Sequence, residues 1–260
     1  MQPIPVALQL FTVRDLTAKD FLGTVRRVAA LGYVGIETNW PTDVPVKELK
    51  QVLEDLNLKV VATHVALPHL ENNLQAALEE NALLGSHYLV CPYMPEDRRR
   101  DLDGWKQTAE LLNRIGGKVG AAGMELGYHN HAFEFQTFEG RPALDHLYTY
   151  CDPKLVKAEL DVYWIQFGGA DPVAYVRKYG QRAPLIHLKD MDPSDRSFAE
   201  VGEGIVDMAG VMREAAQAGA QWFIVEQDVC KRPTLESARI SLENLRLQRD
   251  IPLLIREAVA

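Results

Sequence analysis

Cysteine is scarce in this chain: Cys91, Cys151 and Cys230 are the only three among 260 residues. An odd number with no short spacing excludes a disulfide framework, and a chain this long does not need one, so a reducing, cytoplasmic setting is expected. Long apolar runs are missing as well. No stretch of about 18 apolar residues occurs, and Met1-Gln2-Pro3-Ile4-Pro5 lacks the basic-then-apolar order of a leader, so no membrane partner is expected. Positive charge is the minority sign, with 28 basic against 36 acidic side chains and a formal charge of -8. A phosphate backbone is repelled by that field unless a local basic patch overcomes it, so no nucleic-acid partner is expected. The one basic triplet, Arg98-Arg99-Arg100, sits among Glu96, Asp97, Asp101 and Asp103 and reads as a solvated helix entrance. A Gly-x-Gly-x-x-Gly turn is also lacking. The first apolar run leads into Thr12-Val13-Arg14-Asp15, which gives no support to a dinucleotide site.

What is present is a regular alternation. Hydrophobic residues make up 47% of the chain and charged ones 25%, enough to fill both a sheet interior and a helix layer. Eight short apolar runs predict strands: Val6 to Phe11, Val34 to Thr38, Lys59 to His64, His87 to Cys91, Met124 to Asn130, Val156 to Asp161, Leu185 to Lys189 and Trp222 to Glu226. Helical spacing falls between and after them, near Lys19 to Leu31, Val46 to Leu56, Leu70 to Leu84, Leu102 to Ala122, Ala143 to Cys151, Pro172 to Tyr179, Met208 to Ala218 and Leu235 to Ala258. Asp171-Pro172 marks a helix start, and Gly32, Gly85, Gly123 and Gly219 mark helix ends. No linker interrupts the series. The expected fold is α/β, one (β/α)8 barrel with a closed parallel eight-stranded sheet, spanning 1–260 as a single domain.

Chemistry in such a barrel collects where the strands end. The strand ends here carry Gln9, Glu37, His64, the Cys91-Pro92-Tyr93 turn, His129 with His131, Asp161, His187 and Glu226. So many ionisable groups at one mouth need a common neutralising partner, and a divalent ion fits. Asp161, His187 and Glu226 offer hard oxygen and borderline nitrogen donors from three successive strands, a set suited to Mn, Mg, Co or Zn. For the fourth ligand His129 and Glu134 compete, with His131 behind them. Glu37 and His64 are candidate substrate contacts, alternatively supports for the ligands.

The stretches Tyr128-His129-Asn130-His131-Ala132-Phe133-Glu134-Phe135, Glu159-Leu160-Asp161-Val162-Tyr163-Trp164 and His187-Leu188-Lys189-Asp190 resemble the xylose-isomerase-like sugar phosphate isomerase/epimerase superfamily. Gly202-Glu203-Gly204, Val225-Glu226-Gln227-Asp228 and the opening Gln9-Leu10-Phe11-Thr12-Val13-Arg14 extend the resemblance over essentially the whole chain. It implies a barrel in which Glu, Asp, His and Glu hold one divalent ion while the glutamates exchange a proton beside a carbonyl. Asp161, His187 and Glu226 match the last three positions. His129 stands where the first glutamate is usual, a departure from the two-glutamate pattern. Barrels of this family often pair, so a homodimer is compatible with the resemblance.

The expected activity is a sugar isomerase or epimerase, with manganese among the candidate ions, acting on a ketose or inosose-like polyol through an enediolate. Glu226 is the expected base. His129, His131 or Glu134 is the expected partner that returns the proton. Lys189 and Arg14 are candidate cations for substrate oxygens, or else ion-pair partners of Asp190 and Asp15. Trp164 and Tyr93 offer flat faces to a sugar ring. Glu203, in the loop Val201-Gly202-Glu203-Gly204 before a helix, favours neutral hydroxyls over phosphate. The alternative is a lyase on the same scaffold, inosose-dehydratase-like or keto-glycoside-cleaving. An endonuclease for abasic sites, needing three metals and a basic groove, and a non-catalytic sugar-binding barrel complete the set.

Overall fold

The computed structural model describes residues 2–40, 44–248 and 250–258; Met1 and Ala260, the ends of the predicted span, lie outside them. Eight strands run parallel: β1 Ile4–Gln9, β2 Gly35–Trp40, β3 Lys59–Val65, β4 Tyr88–Cys91, β5 Glu125–His129, β6 Val156–Asp161, β7 Leu185–Leu188 and β8 Trp222–Val225. Each pairs with the next, and β8 pairs back onto β1 through Val6↔Phe223, Ala7↔Ile224 and Leu8↔Val225. The sheet is thereby closed into a barrel surrounded by helices. Among the described residues no helix is long and apolar enough to cross a membrane.

Alternation along each strand sorts side chains into two cores. Val6, Leu8, Ile186, Leu188, Phe223 and Val225 pack outward against the helices. Ala7, Val61, Ala62, Tyr88, Val90, Leu185 and Ile224 form a separate cluster, the apolar plug inside the barrel. Two residues beyond Ala7, Ala62, Leu185 and Ile224 come Gln9, His64, His187 and Glu226. The same parity that buries the plug therefore stacks a polar layer on it, at the carboxyl ends of the strands.

The helix boundaries follow local chemistry. Asp20, Asp101, Asp171 and Asp207 each accept an amide of the first helical turn, a cap that stabilises by about 0.5–2 kcal/mol. Gly32 and Gly219 end their helices at φ of 112° and 94°, where a side chain would be strained, and Gly85 and Gly123 also take positive φ.

Among the differences from the sequence reading, four concern the barrel strands and the helices beside them. Strand β1 stops at Gln9, because the Gln9 side chain accepts the Phe11 amide at 3.0 Å and opens a 3-10 turn over Leu10–Val13. The third predicted helix is two, Leu67–Asn72 and Leu74–Leu84, separated at the non-helical Asn73. A short helix absent from the prediction, Val162–Phe167, starts directly after β6 with Asp161 as its cap. The last helix is Thr234–Arg246 and does not reach Ala258. Pro252 has no amide to continue it, and its carbonyl instead accepts the Ile4 amide while Leu253–Leu254 pairs with the start of β1.

Candidate metal and substrate site

The polar layer contains four donors whose ligand atoms all lie within 4.8 Å of one another: His129, Asp161, His187 and Glu226. All four are buried. The structure brings His129 into this set and keeps Glu134 out of it. Glu134 folds back under the loop after β5, where its oxygens accept from the Tyr128 hydroxyl at 2.7 Å and the His131 amide at 2.9 Å. Burial pushes its carboxyl up to about 7 against those hydrogen bonds.

Asp161 divides its two oxygens. Oδ1 caps the following helix through the Trp164 amide at 3.0 Å, and Oδ2 has the Lys189 ammonium 2.9 Å away without a directed hydrogen bond. Lys189 is 1% exposed and also lies 2.8 Å from Glu226 Oε2 and 2.8 Å from Asp228 Oδ1. The predicted Lys189–Asp190 pairing is thus replaced by this three-carboxylate clasp. Asp190 turns the other way and accepts the amides of Gly202, Gly204 and Val206 at 2.9, 3.1 and 3.1 Å. Those are the amides a phosphate would have needed.

Below the donors lie Glu37 and Glu159, both fully buried. Glu37 Oε2 is 2.7 Å from His187 Nε2, 3.3 Å from His64 Nε2 and 2.8 Å from the Gln9 amide nitrogen. Glu159 Oε2 is 2.8 Å from His64 Nε2, 2.8 Å from His129 Nδ1 and 3.3 Å from His187 Nε2. Sequence reasoning quoted Glu159 and assigned it nothing. The available signal was parity: Glu159 is two residues before Asp161 on β6 and so shares its side of the strand. Asp228, which joins the Lys189 clasp, was likewise quoted and unassigned.

The buried charges set one another's protonation. Burial opposes ionisation of Glu226 and Glu37, but Lys189 and His187 outweigh it for the first, and His64 and His187 for the second, holding both below the usual carboxylate range. Burial alone disfavours a charged His187 ring, yet Glu159 and Glu37 raise it well above its ordinary value; His64, facing the same two carboxylates, rises to about 10. Burial lowers His129, with the neighbouring cations adding to the effect, and it lowers His131 to about 3. Asp161 is raised by burial to about 6, which leaves it ionised beside Lys189 at neutral pH.

A cavity of about 280 Å3 opens above these groups, lined by Phe11, Asn39, His64, Pro92, Tyr93, His129, His131, Lys189, Glu226 and Asp228. His131 stacks on Phe133, and Trp164 stands 5.3 Å from the His131 ring and 5.4 Å from the Lys189 ammonium, behind the cavity wall. Two predicted contacts lie elsewhere. Glu203 is exposed and paired with Arg232 at 2.9 Å, because its loop is folded around Asp190. Arg14 lies over the Phe11 ring and donates to the Phe11 carbonyl at 2.8 Å, while Asp15 accepts from Thr234.

The donor chemistry fits a divalent ion: two imidazoles and two carboxylates, hard and borderline donors, with Asp161 Oδ2, Glu159 Oε1 and Glu37 Oε1 buried and lacking a hydrogen-bond partner.

Comparison with known proteins places these features in a lineage. The chain is 24% identical over 249 residues to an inosose dehydratase from Clostridium beijerinckii, covering 80% of this chain and 82% of the relative. The same name recurs among relatives from Lacticaseibacillus casei and Bacillus cereus. A crystal structure of a sugar phosphate isomerase/epimerase from Parabacteroides distasonis superposes with a TM-score of 0.84 at 25% identity, covering 95% of this chain and 94% of that one. An IolI protein with a zinc atom superposes with a TM-score of 0.75 at 15% identity over 93% of this chain and 96% of its own, a likeness of fold. The expectation of an isomerase or epimerase is corrected by the curated relatives, which are dehydratases and therefore lyases. Proton removal beside a carbonyl is common to both reactions, so the motifs read from the sequence do not separate one from the other. A profile of the xylose isomerase-like TIM barrel matches residues 25–249, and with the closed barrel and its strand-end donors in agreement, the chain belongs to that family.

Proposed function

We propose that this protein is a lyase, a metal-assisted dehydratase that removes water from an unphosphorylated keto-polyol of the inosose kind. The observation that carries the reading is the convergence of His129, Asp161, His187 and Glu226 directly beneath a cavity that Lys189 and Asp228 also line. The names of the curated relatives support the choice of dehydration, and the zinc in a fold neighbour supports a divalent ion. The closed loop around Asp190 supports a substrate without phosphate.

His129, Asp161, His187 and Glu226 would hold the ion. When bound it supplies Lewis-acid polarisation of the substrate carbonyl, which acidifies the neighbouring carbon. Lys189 donates a hydrogen bond to the oxygen on which negative charge develops. Glu226 stays ionised in this setting and accepts the carbon-bound proton. A carboxyl with a depressed pKa is then a strong acid, so Glu226 returns that proton to the β-hydroxyl. The C–H electron pair becomes the new C=C bond and the hydroxyl leaves as water. His131, neutral and with Nδ1 unpartnered, faces the cavity and accepts a hydrogen bond from a substrate hydroxyl.

The test is product analysis with metal-loaded protein and an inosose. Loss of one water by mass spectrometry, with the absorbance of a conjugated enone, is the expected result. A product of unchanged mass, or no turnover with any divalent ion, overturns the proposal.

A further inference from the structure

We propose that Glu159 and Glu37 are positioning residues that decide which nitrogen each ligand imidazole offers to the ion, so that His129 binds through Nε2 and His187 through Nδ1. The inference rests on the metal centre proposed above and deepens it. Each of these rings spans two layers. His129 turns Nδ1 down to Glu159 at 2.8 Å and Nε2 up toward Asp161 Oδ2 at 3.7 Å. His187 turns Nε2 down to Glu37 at 2.7 Å and Nδ1 up to Glu226 at 2.9 Å.

The lower layer taken alone resembles a second donor set, because His64, His129, His187 and Glu159 also bring their ligand atoms within 4.8 Å of one another. The hydrogen bonds favour the upper set. Glu159 Oε2 is already shared by two imidazole nitrogens, His64 Nε2 and His129 Nδ1, each at 2.8 Å, the length of a charge-assisted hydrogen bond. In the upper set Asp161 Oδ2 is buried without a hydrogen-bond partner, and His129 Nε2 stands 3.7 Å from it. Glu159 is therefore an acceptor for ring N–H groups. Glu37 is fixed in turn by the Gln9 amide at 2.8 Å. A carboxylate accepting one ring N–H locks the tautomer and directs the other nitrogen's lone pair at the metal.

The experiment is NMR of protein carrying isotope-labelled histidine and loaded with an NMR-active cadmium isotope, so that the cadmium splits the signal of each bound nitrogen. Splitting at His129 Nε2 and His187 Nδ1, with the opposite nitrogens protonated, is expected. Splitting at His129 Nδ1 or His187 Nε2 overturns the inference and needs no variant to show it. Glu159→Gln is expected to weaken cadmium binding by about 10–100-fold and to move the His129 signals, while Glu37→Gln moves those of His187. Unchanged affinity and unchanged ring signals in both variants also overturn it. Wild-type protein that takes up no cadmium sinks the metal centre itself, a separate result from cadmium bound through the wrong nitrogens.

Discussion

Replacing Lys189 with methionine isolates the charge that holds the upper layer together. The ammonium is buried against Asp161, Glu226 and Asp228 at 2.9, 2.8 and 2.8 Å, and methionine keeps most of the stem while removing the charge. Taking one partner from a buried ion pair destabilises by about 3–5 kcal/mol, because the remaining charge is left uncompensated. With an unfolding entropy of roughly 2.1 cal/mol/K per residue, a chain of 260 residues has about 0.55 kcal/mol/K, so the metal-free Tm should fall by about 5–9 °C. A divalent ion that binds the folded state alone stabilises it by mass action. Without the ammonium, Asp161 and Glu226 have the ion as their cation, so saturating metal should raise the Tm of the variant more than that of wild type. Scanning calorimetry in chelator and in saturating zinc or manganese reads both numbers. A variant that melts with wild type in chelator refutes the buried-pair argument, and equal gains on adding metal refute the claim that ammonium and ion draw on the same carboxylates.

Asp161→Asn keeps an oxygen to cap the Trp164 amide and loses the charge; it should fold normally yet bind metal at least about 100-fold more weakly, and unchanged affinity in a cobalt titration would remove Asp161 from the donor set. Metal binding should release protons, because Glu159 and Glu37 keep the His187 ring charged in the metal-free protein and a ligand nitrogen must be bare. Affinity then falls as pH falls, about tenfold per unit for each proton expelled, and calorimetry in buffers of different ionisation enthalpy that finds no release would refute the assignment. Gly116→Ala places a Cβ 2.3 Å from the Leu155 carbonyl oxygen, so it should cost about 1–3 kcal/mol by urea denaturation; wild-type stability would show that the backbone there yields freely.

Period and parity explain what was legible in the sequence. The eight strands were found because a barrel strand is a short apolar run, and Val156–Asp161 was placed to the residue. The last helix was overextended because Leu253, Leu254 and Ile255 continue an apolar pattern that cannot distinguish a helical face from an edge strand. The strand-end donors were visible as residue types at a common depth. Invisible were the distances between strands distant in the chain: Glu203 looked like a mouth residue until Asp190 drew its loop inward. The choice between His129 and Glu134 depended on the Tyr128 hydroxyl, which holds Glu134 and belongs to the same strand as its competitor.

The site's charges suggest why one barrel end serves both stability and chemistry. Glu37, Glu159, Asp161, Glu226 and Asp228 crowd around one ammonium and the rings of His64, His129 and His187. Buried carboxylates at that density need cations, and the two rings held protonated close only part of the deficit that Lys189 leaves. A purely structural network would close its hydrogen bonds, since an open buried acceptor costs about 1–3 kcal/mol. This one leaves Glu37 Oε1 and Glu159 Oε1 without a donor, and Asp161 Oδ2 with only the Lys189 ammonium beside it. Glu37 and Glu159 lie beneath the donor set and Asp161 within it, so the excess of negative charge that weakens the empty fold is also what would draw a divalent ion in, while Lys189, His187 and His64 are what keep Glu226 ionised for proton transfer.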